Sequence, residues 1–297
     1  MNIIVVGSKG FIGSHCVEFF SSKHEVWGCD VVLDYNTSNY ISIDAVDSDF
    51  HELFQQHIFD VCINCSGAAS VPFSLQKPFN DFRLNTLNVI KLLEAIKLHA
   101  PNCKFITMSS AAVYGNPISL PIREDFINAP VSPYGYHKMM AEYICEEYSR
   151  FWNIKTCCLR IFSAYGPGLK KQLFWDLYNK IKNESEPTLW GTGKESRDFI
   201  FISDILRIIE LAIYNSSFDG EIVNVANGKQ ITIAEVAQTV KNVIGTEKKV
   251  KFNGESRKGD PMNWEADVSV ISSWGYVPQI GLREGVEQYV TWVHNCQ

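Results

Sequence analysis

The first thirteen residues constrain this chain most. An apolar run at residues 3–6 leads into Gly7, Gly10 and Gly13, and residues 11–20 carry apolar side chains at three- and four-residue spacing. That order predicts a buried strand, a tight turn and then an amphipathic helix. A turn of this kind suits a pyrophosphate. Backbone N–H groups and the helix dipole attract the anion, and a Cβ at the glycine positions would obstruct its approach. The alternative is a plain glycine-rich β–α turn; the place of the glycines, after the first strand and before a helix, argues against it.

Asp30 stands 17 residues after Gly13, at the end of a second apolar run over residues 25–29. A carboxylate there can accept hydrogen bonds from ribose hydroxyls and would repel a 2′-phosphate. No arginine follows closely, so the expectation is NAD and not NADP. Asp44 ends another short apolar run and is a candidate for the adenine edge, with plain solvent exposure as the alternative reading.

The same rhythm continues through the first half. Residues 61–64, 104–108 and 155–160 read as further buried strands, and residues 80–99 and 133–151 as helices between them. Strands alternating with helices predict an α/β fold, a doubly wound parallel sheet. The rhythm breaks after Gly166, Pro167 and Gly168. Shorter elements follow: helices near 172–183, 203–215, 233–244 and 282–294, with a turn at Gly191–Gly193. The expected organisation is a dinucleotide-binding domain over residues 1–165, joined by parts of 198–227, and a smaller mixed α/β C-terminal lobe over 166–297 that holds the substrate.

Composition excludes several functions. A net charge of −6 over 297 residues offers no basic field for nucleic acid. Nowhere do roughly 18 consecutive apolar residues occur, so no membrane span is expected. The N-terminus does not read as a signal peptide. The nine cysteines are scattered, and the single C-x-x-C, Cys62 to Cys65, lies in an apolar run without a second pair at metal-site spacing. Buried free thiols in a reducing cytoplasm are expected, and no metal site.

The sharpest chemistry lies in two stretches, Ser109 to Gly115 and Ser132 to Lys138. Ser132 is a good N-cap and Pro133 a good first helical residue, which puts Tyr134 in a first turn and Lys138 on the same face. A cation beside a phenol at a positive helix end is expected to lower the phenol's pKa. Such a tyrosine can take a proton from a sugar hydroxyl as hydride leaves its carbon. Ser110 ends the fifth strand, where its hydroxyl can bond the reacting oxygen.

These stretches resemble the extended short-chain dehydrogenase/reductases, in the nucleotide-sugar epimerase/dehydratase group close to the UDP-glucose 4-epimerases. The likeness covers nearly the whole chain. It runs from Gly7–Gly13 through Ser110–Gly115 and Ser132–Lys138, and on through Arg160–Pro167, Arg197–Asp204, Asn224–Asn227 and Lys258–Asp260. It implies a Rossmann domain, with Ser110, Tyr134 and Lys138 as catalytic triad and Lys138 also holding the nicotinamide ribose. It implies NAD contacts at Gly7, Gly10, Phe11, Ile12, Gly13, Asp30, Asp44, Ser66, Gly67, Ala68, Asn85, Phe162, Tyr134 and Lys138. On the substrate side it implies Ser110, Tyr134, Ser163, Leu173, Trp190, Arg197, Arg257 and Asp260. The two arginines are the candidates for phosphate oxygens, and Trp190 either stacks on a base or packs in the lobe.

Dehydratases of the group usually carry an acidic residue beside the catalytic hydroxyl. Here Ala111 and Ala112 stand there, which disfavours elimination. Epimerisation at C4 through a transient ketone is the leading reading, and NAD(P)H-dependent reduction of a 4-keto-6-deoxy nucleotide sugar is the alternative, since both use the same triad. Ser163 replaces the group's usual asparagine, and Ser66 to Ser70 lack a lysine found in some 4-epimerases, so the nucleotide and sugar stay open. A non-enzymatic dinucleotide-binding protein would predict a broken triad. The implied ligand is a nucleotide-diphosphate sugar. Helices 80–99 and 133–151 are the expected faces of a homodimer.

Overall fold

The computed structural model describes residues 1–45, 48–255, 259 and 261–296. Strands β1 (Asn2–Val6), β2 (Glu25–Asp30), β3 (Tyr40–Ser42), β4 (Val61–Asn64), β5 (Lys104–Ser110) and β6 (Thr156–Ile161) form one sheet with β10 (Asp219–Val225), in the order β10-β6-β5-β4-β1-β2-β3. Every pairing from β3 to β6 is parallel. The order reverses between β1 and β4. In a doubly wound sheet that switch point, outside the carboxyl ends of the strands, is where ligands bind. The doubly wound parallel sheet expected from the alternation is therefore present.

Strands buried on both faces explain the unbroken apolar runs. Ile4, Cys62 and Phe105 pack with Leu92 and Ile96 of α5 (Asn88–His99) and with Cys145 of α6 (Pro133–Trp152). Their neighbours Ile3, Val5, Ile63 and Ile106 point the other way by strand alternation and are equally buried. Helices α1 (Phe11–Ser21), α2 (His51–Gln56), α3 (Val71–Gln76) and α4 (Pro78–Phe82) complete the first part of the chain.

The continuous helix expected over 80–99 is interrupted. Residues Arg83–Leu87 form a π-helical turn between α4 and α5. A π-turn inserts an extra residue, and apolar periodicity cannot reveal it because the flanking turns keep their burial pattern. This one carries Asn85.

The chain divides into two compact units. The first is Met1–Gly115, Ile127–Ile161 and Ile208–Val223; the second is Asn116–Phe126, Phe162–Arg207 and Asn224–Gln297. The second unit holds a sheet ordered β11-β9-β7, from β7 (Ser163–Tyr165), β9 (Ser196–Phe201) and β11 (Gln230–Thr232). The second unit also holds a parallel pair, β8 (Thr188–Leu189) with β12 (Lys251–Phe252), and helices α7 (Gln172–Asn183), α9 (Ile233–Ile244), α10 (Ser269–Ser273) and α11 (Leu282–Asn295); α8 (Ile202–Asn215) is divided between the units.

Two of the motifs in this half act as scaffold. The buried Asp198 carboxylate accepts from the backbone N–H groups of Asn227, Lys229 and Ala266 at 2.9–3.1 Å. Burial pushes its pKa up to about 6 against those bonds. Asn224 donates to the carbonyls of Ile122 and Asp267 at 2.9 and 3.3 Å.

The glycine turn is held from below. Gly7 and Ser8 donate to the Cys29 carbonyl at 2.7 and 3.2 Å, and Gly10 donates to the Gly7 carbonyl at 3.0 Å. A Cβ at Gly13 would lie 2.1 Å from the Gly7 oxygen, and one at Gly7 would lie 2.6 Å from the Ser66 nitrogen. Gly7 also has φ +79°, which other L residues rarely adopt. We expect Gly13→Ala to cost about 1–3 kcal/mol, read as a lower urea midpoint; an unchanged midpoint would show that the loop yields freely.

Candidate active site

Two segments of the first unit meet at Tyr134. Ser110 closes β5, and its Oγ accepts from Ala112 N at 3.2 Å, capping a short 3₁₀ turn at Ala111–Val113. Ser132 caps α6 by accepting from Gly135 N at 3.2 Å, with Pro133 in the first turn, as the sequence pattern predicts. Gly135 lets the two pieces touch: a Cβ there would sit 2.5 Å from the Ala112 carbonyl. The first turn of α6 thus lies directly on the turn that follows Ser110, and Tyr134 shares a hydrogen bond with Ser110.

Tyr134 and Lys138 are both buried, at 8% and 7% exposure. The lowered phenol expected from its neighbours is not what this geometry produces. Burial pushes the Tyr134 phenol up to about 12; the Ser110 bond pulls partly back and the charge of Asp81 adds to the rise. Lys138 Nζ donates to the Met108 carbonyl at 2.8 Å. Burial lowers Lys138 to about 8, with Asp81 the leading opposing charge.

That shift has a testable sign. The unfolded chain keeps the Lys138 proton up to its ordinary value of 10.5, whereas the folded chain loses it near pH 8. Between those values the unfolded state binds more protons, so stability rises with pH. Relative to Lys138→Met, the wild type should gain up to about 3 kcal/mol across that window. Urea titrations at stepped pH would read it, and a flat difference would refute it.

Two further groups stand behind this pair, and no motif flags either. Asp81 is fully buried and its Oδ2 meets His137 Nδ1 at 2.6 Å. Glu142, one turn beyond Lys138, accepts from Ser109 Oγ at 2.5 Å and from Arg160 Nε and Nη2 at 2.9 and 2.8 Å. The Arg160 guanidinium also lies 4.6 Å from the Tyr114 ring centroid. Acids on helices usually read as solvated, so only tertiary packing distinguishes these two.

At the switch point, the residues expected to meet the dinucleotide gather from several loops. Phe11 and Ile12 open α1. The Ser66 amide and hydroxyl both donate to Asn64 Oδ1, at 3.1 and 2.6 Å. Asn85 Nδ2 donates to the Ala68 carbonyl at 3.1 Å, while a Cβ on Gly67 would lie 2.4 Å from Asn85 Oδ1. Asn85 Oδ1 and Ser8 Oγ are buried and have no hydrogen-bond partner among the described residues. Asp30 accepts from the N–H of Lys9 at 2.8 Å and of Val31 and Val32 at 2.7 and 3.3 Å. Asp44 is exposed.

The remaining candidates lie in the second unit. Phe162 is buried edge-on to Trp264, with ring centroids 5.9 Å apart. Ser163 starts β7 and pairs with Phe199, and Leu173 is half-buried on α7. Arg197 donates to the carbonyls of Ser196 and Met262 at 2.8 and 3.2 Å and stacks on Trp264. Trp190 is 44% exposed. Arg257 and Asp260 lie outside the described residues.

The nine cysteines are unpaired: seven buried, Cys65 half-buried and Cys296 exposed. No described helix is long and apolar enough to cross a membrane.

The chain resembles proteins of known structure along its whole length. It superposes with a TM-score of 0.90 and 28% identity on a UDP-glucuronic acid 4-epimerase of Bacillus cereus solved with UDP-glucuronic acid and NAD, covering 100% of each chain. A UDP-N-acetylglucosamine 4-epimerase of Methanobrevibacter ruminantium M1, solved with UDP-N-acetylmuramic acid, gives 0.90 at 27% identity, covering 100% of this chain and 99% of that one. In sequence it is 28% identical to a UDP-glucose 4-epimerase of Azospirillum brasilense over 312 residues, covering 96% of this chain and 89% of the relative. Residues 3–226 match the NAD dependent epimerase/dehydratase family, and the chain belongs to that family.

Proposed function

We propose that this protein is an NAD-dependent nucleotide-sugar epimerase that works through a transient ketone at C4 of the sugar. The observation that carries the reading is the meeting of Ser110, Tyr134 and Lys138 beside the switch point. The glycine turn packs α1 so closely on β1 and Ser66 that a Cβ at Gly7 or Gly13 would strike backbone, and among the described residues the buried Ser8 hydroxyl and Asn85 amide oxygen lack partners. Those features fit a dinucleotide and support NAD as cofactor.

Gly7, Gly10, Gly13 and the start of α1 would hold its pyrophosphate, Asp30 the adenosine ribose, and Lys138 the second ribose. Bound NAD would supply the hydride acceptor and the returning donor. Tyr134 Oη, in its ionised form, takes the proton of the C4 hydroxyl and later returns it to the same oxygen, so no net proton is consumed. Ser110 Oγ hydrogen-bonds that oxygen throughout. Arg197 and Arg257 are assigned to the nucleotide diphosphate, with Ser163, Leu173, Trp190 and Asp260 as the other substrate contacts. Ala111 and Ala112 place no carboxylate beside Ser110, which leaves an elimination step without its acid.

The test is incubation with UDP-, dTDP-, GDP- and CDP-sugars, with and without NADH. Epimerisation without added cofactor is expected. NADH consumption confined to 4-keto sugars would replace epimerisation with net reduction.

We further propose a cytoplasmic homodimer. Nine unpaired cysteines support the compartment. Tyr136, Met140 and Tyr143 lie along α6 at four- and three-residue spacing and are 47%, 41% and 55% exposed, which supports a helical interface.

A further inference from the structure

The glycine turn carries a lysine, Lys9, immediately before Gly10, and the second strand ends in a loop with its own acid, Asp34. Lys9 is bound at both ends. Its backbone N–H donates to Asp30 Oδ2 at 2.8 Å, and its Nζ donates to Asp34 Oδ2 at 2.5 Å. Asp34 is itself fixed, accepting from Asn36 N and Thr37 Oγ1 at 2.9 Å each. The ammonium also lies 4.6 Å from the Tyr40 ring centroid. These bonds, Lys9 first, hold the Asp34 carboxyl well below the usual carboxylate range.

The arrangement bears on the dinucleotide assigned above, and the inference rests on that reading. A lysine beside the ribose carboxylate is a cation that a 2′-phosphate would seek. Left unpaired, it would offset the repulsion by Asp30 and blur discrimination between NAD and NADP. We propose that Asp34 is a specificity-determining residue. By occupying the Lys9 ammonium, it leaves Asp30 as the unopposed charge at the adenosine ribose and keeps the site selective for the dinucleotide without a 2′-phosphate. Discrimination here is negative: the acid does not touch the ribose but removes the attraction that a wrong ligand would use.

The charges can be separated. Asp34→Asn retains a side-chain oxygen for Asn36 N but no longer fixes the ammonium, and it raises the local charge of Asp30, Asp34 and Lys9 by one. Affinity for NADP+ should rise roughly fivefold at low ionic strength, the scale of a partly exposed ion pair. NAD+ affinity should change less than about twofold, and the NADP+ gain should shrink with added salt. Lys9→Met in the Asp34→Asn background should abolish the gain, because no cation then remains to meet the phosphate.

The readout is dissociation constants for NAD+ and NADP+ by titration calorimetry, on protein first freed of bound nucleotide. A raised NADP+ affinity in Asp34→Asn that is lost in the double variant supports the assignment. An unchanged NADP+ to NAD+ ratio in Asp34→Asn, with NAD+ still bound by the wild type, overturns it and leaves the cofactor reading standing. A wild type that binds neither dinucleotide overturns the cofactor reading, and this inference with it. Should the loop of Asp34→Asn lose its fold, Lys9→Met alone decides: an unchanged or lower NADP+ affinity is consistent, and a rise overturns the proposal.

Discussion

Tyr134→Phe is expected to lower turnover about a thousandfold while leaving NAD binding and stability nearly intact, a loss within the range of a removed general acid–base. The ring is buried and phenylalanine fills the same space, so the packing of α6 against the Ser110 turn should persist. What disappears is the hydroxyl that shares a hydrogen bond with Ser110 and carries the proton. Burial holds the phenol at about 12, so nearly all of it is protonated at neutral pH. It must therefore be drawn down by positive charge as ligands bind. Activity should rise with pH toward the alkaline side, until Lys138, lowered to about 8, loses its charge. A variant retaining more than a tenth of wild-type turnover would refute the role assigned to Tyr134.

The second large effect is on stability. Glu142 and Arg160 are 2% and 1% exposed at the side chain, and their carboxylate–guanidinium contact uses both oxygens. Burial works against the arginine's charge, and Glu142 and Tyr114 more than compensate, so the guanidinium stays charged. Glu142→Ala leaves that charge without its counterion, and we expect about 3–5 kcal/mol of destabilisation. Replacing both partners by methionine should recover much of this, since two apolar side chains of similar volume need no pairing. Urea midpoints of the single and double variants measure the difference. A double variant no more stable than Glu142→Ala would show that the pair does more than satisfy itself. The bond from Ser109 to Glu142 also ties the end of β5 to α6, so a loosened pair should raise the Michaelis constant and lower turnover together.

Much of this was legible in residue order. Period-3.6 and unbroken apolar runs marked the strands and helices of the first unit, because a parallel sheet covered on both faces leaves little choice of residue. Ser132 and Pro133 announced the start of α6, since capping is a local matter of one hydroxyl and one fixed φ. The π-turn at Arg83–Leu87 was not legible, because it changes the backbone count without changing which faces are apolar. Nor was the importance of Gly135, whose neighbour Ala112 is distant in sequence.

The residue types and spacing determined that the chain builds a glycine turn at a switch point and brings a Tyr–Lys pair to a helix start. Such features depend on backbone geometry and on neighbours within one or two turns. Tertiary structure alone decided the electrostatics. Burial, with the charge of Asp81, set the phenol high where proximity predicted it low. Asp34 takes up Lys9, and Asp81 and Glu142 become buried acids beside the site. Charge energies depend on desolvation and on partners far away in sequence, and neither is written in local order.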